Sequence, residues 1–234
     1  MSEDEALQHL LLGEIEVVGR INASSNQALF VEVHFNGATL EGCLKTELGE
    51  RPLWDFPDGL WRREVAAYEL SRLMALDLIP ETVARTNTEF GPASLQRWVP
   101  STPEHYFTMR DDAAWATWFC EMAGFDFIAN NTDRKSGHVL FDGQRPWGID
   151  QGLCFAVEDK LRTVIWDFAG DPLPARLSEG IELLLNSNGE PLRTLISDEE
   201  VEATLERAAW LLEQGVLPTP DEDLEWPPYP WPLV

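Results

Sequence analysis

Asn130-Asn131-Thr132-Asp133-Arg134-Lys135-Ser136-Gly137-His138 and, further on, Gly148-Ile149-Asp150-Gln151-Gly152 decide how this chain is read. Each acid lies beside a short apolar run, Val139-Leu140-Phe141 or Pro146-Trp147-Gly148-Ile149, that reads as a strand. Two carboxylates on two such loops suit phosphoryl transfer. Asp133 orients the attacking hydroxyl and takes its proton, a ligand five positions later helps hold a metal, and Asp150 completes the metal site. The plainer alternative makes both acids turn formers, a common use of Asp in loops. Their joint placement, with strands between them, favours the catalytic reading.

Working outward, residues 14–20 alternate as a strand, 21–27 read as a polar turn, and 28–35 resume the strand pattern. Asn36-Gly37 is a hairpin signal, and 39–45 form the third strand. Pro52 and Pro57 keep the next connection out of a regular helix. A helix is expected over 60–76, strands over 82–85 and 93–99, and then a helical half. There, helices are expected over 111–123 (running on to Ile128, with a break at Gly124), 177–186 and 198–214. Ser197 and Glu200 form a capping box for the last. The closing Trp226-Pro-Pro-Tyr-Pro-Trp-Pro run excludes helix and central strand; its aromatics are expected to pack on the body. In this order Lys45 ends the third strand, within reach of nucleotide phosphates. Glu64 opens the following helix, where it could hold that lysine.

Composition narrows the partners. With 234 residues and 44% hydrophobic content, the chain suits one large domain or two lobes around a cleft. A net charge of -24 argues against nucleic acid and anionic membrane, both of which need a basic face. Met1-Ser2-Glu3-Asp4-Glu5 is acidic where a secretory leader is basic, and no run is apolar enough to span a bilayer. Cys43, Cys120 and Cys154, widely spaced and odd in number, fit reduced thiols in the cytoplasm. Arg134, Lys135, Arg145, Lys160 and Arg162 cluster around the two acidic loops, which suits an anionic small molecule. Lys135, Lys160 and Arg162 are assigned to the acceptor side.

Asn131-Thr132-Asp133-Arg134 and Ile149-Asp150-Gln151-Gly152-Leu153-Cys154-Phe155 resemble the catalytic and metal-binding loops of the phosphatidylinositol 3- and 4-kinase superfamily, especially its type II 4-kinase branch. Together with Glu50-Arg51-Pro52-Leu53-Trp54-Asp55-Phe56-Pro57, Arg63-Glu64-Val65-Ala66-Ala67-Tyr68 and Lys160-Leu161-Arg162-Thr163-Val164, they look like the blocks of an actinobacterial family related to those kinases. The resemblance runs from the first strand to the final Trp/Pro tail. It implies an α+β, two-lobed protein-kinase-like fold. Residues 1–99 would be an N-lobe of antiparallel sheet and one helix, and 100–234 a mainly helical C-lobe.

The resemblance further implies ATP with Mg²⁺ or Mn²⁺, Lys45 on the phosphates, Glu64 as its partner, Asp133 as catalytic acid and Asp150 as metal acid. Gln96, Trp98 and Val99 fall at the interlobe hinge that would face adenine, and Ser24 and Ser25 in the loop that would cover the phosphates. One departure stands out: His138 occupies the position where such kinases carry Asn. Imidazole is a poor ligand for Mg²⁺ and an acceptable one for Mn²⁺. An ATP-dependent phosphotransferase acting on a hydroxyl of a small molecule or protein is therefore expected. A nucleotide-binding pseudokinase and a nucleotidyl transferase are the alternatives. Phosphoinositide is discounted as acceptor, because acidic chain ends are repelled by anionic lipid.

Overall fold

The computed structural model describes residues 1–21, 27–220 and 227–234. Five antiparallel strands form the sheet half: β1 (Glu14–Arg20), β2 (Ala28–Phe35), β3 (Ala38–Thr46), β4 (Thr82–Arg85) and β5 (Ala93–Arg97), in the order β1-β2-β3-β5-β4. The β2–β3 hairpin turns at Asn36 and Gly37, with φ of 51° and 77°. Two successive positive φ values are what a two-residue hairpin turn with matching twist requires, and Asn and Gly tolerate them best.

Register sorts the side chains. Phe30, Cys43, Gln96 and Thr82 form one row across the sheet, and Ala28, Lys45, Ser94 and Ala84 the next row on the same face. The opposite face carries Leu29, Val31, Val33, Leu44 and Leu95, buried against Leu10. Leu10 belongs to α1 (Glu3–Leu12), a helix outside the sequence-based expectations. Its signal was present: Ser2 and Glu5 form a capping box, and Glu3, Asp4 and Glu5 place negative charge on the first turn.

Between β3 and β4 runs α2 (Leu60–Leu73), ending before the expected Leu76. The helical half holds α3 (Tyr106–Met109), α4 (Ala116–Ile128), α5 (Ala175–Ser187) and α6 (Asp198–Gln214), with the small pair β6 (Val139–Phe141) and β7 (Pro146–Gly148). The helix expected over 111–123 starts later, because Asp112 Oδ1 accepts from the Ala114 amide and holds a turn there. α4 also passes Gly124 unbroken. A Cβ at Gly124 would lie 2.4 Å from Leu177 Cδ2, so glycine here serves the close approach of α5. The Ser197–Glu200 capping box of α6 is formed as expected. Buried residues of α2, α4, α5 and α6 share one large core, so α2 belongs to both halves. Among the described residues no helix is long and apolar enough to cross a membrane.

The described part of the tail docks through its main chain and not through Tyr229 or Trp231. Pro228 O accepts from the Thr163 amide and from Trp166 Nε1, each at 3.1 Å, and Leu233 O accepts from the Ser136 amide at 2.8 Å. Tyr229 and Trp231 stay exposed. Trp226 lies outside the described residues.

Candidate active site

Lys45 projects from the cleft face of β3 toward α2. The helix is aimed by an unusual cap: Gly59, at φ 89°, offers no side chain, and Glu50 supplies the carboxylate. Its Oε2 accepts from the Gly59 amide at 2.9 Å and its Oε1 from the Trp61 amide at 2.7 Å, answering two otherwise unpaired donors. Glu64 follows in the next turn, and Lys45 Nζ donates to its Oε1 at 2.5 Å. The other oxygen, Glu64 Oε2, accepts from the Gln151 amide at 3.0 Å. Lys45 Nζ also donates to Asp150 Oδ1 at 2.7 Å. One ammonium thus ties the sheet, α2 and the second acidic loop together.

Charge balance follows this geometry. Burial favours neutral Lys45, but Asp150 and Glu64 outweigh it and raise its pKa, keeping it cationic. For Asp150, burial pushes the carboxyl upward, while Lys45 and His138 together hold it well below the ordinary aspartate range. It stays ionised, and at φ 61° its backbone is left-handed. Such a conformation in a non-glycine residue costs on the order of 1 kcal/mol and is kept by the contacts around it.

Asp133 follows the turn at the end of α4, where Asn130 has φ 49°. The loop is held by Arg134, whose side chain, like that of Asp126 on α4, is fully buried; Arg134 Nε donates to Asp126 Oδ2 at 2.9 Å. The same guanidinium donates to Ile149 O and Gln151 Oε1, both at 2.8 Å. Asn131 Nδ2 donates to Asp126 Oδ1 at 3.0 Å, and its Oδ1 accepts from the Asp133 amide at 2.9 Å. Asp126 and Arg134 therefore lock the two acidic loops to each other. Asp133 itself accepts from Lys135 Nζ at 2.8 Å. Burial raises its pKa and Lys135 restrains the rise.

His138 Nε2 lies 3.3 Å from Asp150 Oδ2, and burial lowers the imidazole pKa to about 4. It is neutral at physiological pH, the state a metal ligand must have. These two atoms make a mixed N/O donor pair, and its chemistry fits a divalent ion that tolerates imidazole. A cavity of about 230 Å³ opens here, lined by Lys45, Glu64, Asp133, Asp150, Arg51 and Leu153 among others.

Comparison with known proteins agrees with this architecture. No protein-family profile matches the chain. Protein Rv2133c of Mycobacterium tuberculosis is 35% identical over an alignment that covers 96% of this chain and 95% of that protein. The chain belongs to the Rv2133c family. The Helicobacter pylori proinflammatory kinase CtkA aligns with a TM-score of 0.56 and 11% identity, over 89% of this chain and 94% of that one. At that identity the likeness is one of fold: α+β, protein-kinase-like. HipA of Shewanella oneidensis, from a complex with HipB and operator DNA, gives a TM-score of 0.48 at 9% identity, over 92% and 70%.

In this member of the Rv2133c family the remaining residues singled out from sequence are scattered. Gln96 is buried and donates from Nε2 to Thr82 Oγ1 at 2.9 Å. The Trp98 amide is already bonded to Glu41 O, and its ring meets Phe30 edge-on at 5.0 Å. Val99 is buried at the end of that run. None of the three lines the cavity. Lys160 sits outside it too, 3.3 Å from Glu158 Oε2 and 3.9 Å from Asp55 Oδ2, with its ammonium over the Trp54 ring. Arg162 flanks the first loop through its main chain, donating to Asn131 O and accepting from the Arg134 amide. Ser24 and Ser25 lie outside the described residues. Two residues of the site escaped sequence reading in their real role. From sequence Arg134 reads as one of a basic cluster that suits an anionic ligand, whereas it is fully buried, and Asp126 is not singled out. The available signal for the latter was an acid inside the otherwise apolar Phe125-Asp126-Phe127.

Proposed function

We propose that this member of the Rv2133c family is an ATP-dependent phosphotransferase. The observation that carries the reading is the Lys45 ammonium shared between Glu64 and Asp150, with Asp133 on the same cavity. Lys45 binds nucleotide phosphates and Glu64 holds it in place. Asp133 accepts the proton of an acceptor hydroxyl whose oxygen bonds to the γ-phosphorus. The bond from that phosphorus to the bridging oxygen breaks, and ADP leaves with its electron pair. Asp150 and His138 would hold the divalent ion, which when bound neutralises charge on the phosphates. Catalysis here is positioning and electrostatics, and the two locked loops supply the positioning.

The adenine would lie toward the run from Gln96 to Val99, beyond the residues that line the cavity itself. Residues 1–99 and 100–234 are read as the two lobes. The acceptor is a hydroxyl of a small molecule or protein, with Lys135 at its anionic end. Kinship with the phosphatidylinositol 3- and 4-kinases rests on the loop motifs. The imidazole of His138, at the position where such kinases carry Asn, is what favours a second reading, a nucleotide-binding pseudokinase. Incubation with γ-labelled and α-labelled ATP separates these. Transfer of γ label alone is expected; transfer of α label means nucleotidyl transfer, and binding without turnover means a pseudokinase.

A further inference from the structure

We propose that Arg51 binds the γ-phosphoryl group of the nucleotide, a role that rests on the phosphotransferase reading above. Two cations, Lys45 and Arg51, line the cavity that holds Asp133 and Asp150. Lys45 is engaged by two carboxylates. Arg51, among the described residues, has no hydrogen bond, ion pair or aromatic contact. In a chain with 41 acidic and 17 basic residues, an unpaired guanidinium beside a cluster of acids calls for a reason.

The cavity's acids have other partners. Glu50 is bonded to the start of α2, Glu64 to Lys45 and the Gln151 amide, Asp150 to Lys45, and Asp133 to Lys135. The base of Arg51 is fixed from both sides. Before it, the Glu50 amide donates to Glu47 O and the Glu50 side chain is anchored on α2. After it, Pro52 confines Arg51 to extended backbone. A planar fork on a fixed stem, with donors that meet no other described residue, is suited to two oxygens of one phosphoryl group. It would add positive charge where the transferred group carries most negative charge.

The test is calorimetric titration of ATP and ADP, each with Mn²⁺, into the wild-type protein, Arg51→Ala and Arg51→Lys. A lost charge-assisted phosphate contact should weaken ATP binding about tenfold in Arg51→Ala. ADP binding should be unchanged, and Arg51→Lys should recover part of the ATP affinity. Arg51 is exposed, so both variants should melt with the wild type. Equal loss for ATP and ADP, or no loss, overturns the assignment while leaving the phosphotransferase standing. A wild-type protein that binds neither nucleotide overturns both.

Discussion

At the level of single residues, Asp133 is the most exacting position. In its proposed role as general base it works deprotonated, so the rate must fall as pH drops through its pKa. Burial raises that pKa above the usual aspartate value, and Lys135 at 2.8 Å restrains the rise. Replacing Lys135 by Met removes the restraint, so the acidic limb of kcat/KM should move to higher pH. An unmoved limb would remove Lys135 from the base and return it to the acceptor side alone. Asp133→Asn should lose roughly 10²- to 10⁴-fold in rate with nucleotide affinity kept, read by steady-state kinetics beside titration. His138, at about 4, is protonated in the unfolded chain well before the folded one. Stability should therefore fall as pH drops from about 6.5 toward 4, by up to about 3 kcal/mol, and less steeply in His138→Asn. Parallel urea midpoints for the two proteins across that window would contradict it.

Among the elements, the strand–turn–helix order that brings Lys45 to Glu64 was legible, because register and helical period depend on neighbours in sequence. The Arg134–Asp126 lock was not. A buried ion pair is set by how α4 packs on the two loops, and an arginine in a motif looks the same whether it is exposed or fully buried. Glu50 capping α2 from outside the helix hid for the same reason. Because the Asp126–Arg134 pair is fully buried, removing one partner leaves an uncompensated charge. Asp126→Ala should cost about 3–5 kcal/mol in urea unfolding. A cost below about 1 kcal/mol would mean that the loops hold each other without it.

On the scale of the whole molecule, the two halves share α2, and the tail closes over the helical half by main-chain bonds to Ser136 and Thr163. Sequence reading expected the tail to pack through its aromatics, since aromatic area is visible in a sequence and free main-chain acceptors are not. The net charge was equally visible, yet it bears on partners and not on the fold. The family and the kinase-like fold rest on the entire chain; the phosphotransferase rests on four side chains around one cavity. The direct test is a crystal structure with a non-hydrolysable ATP analogue and Mn²⁺. The expected result is phosphates on Lys45, a manganese anomalous peak beside Asp150, and the γ-phosphoryl group facing Asp133. An analogue bound away from this cavity, or manganese bound elsewhere, would contradict the account.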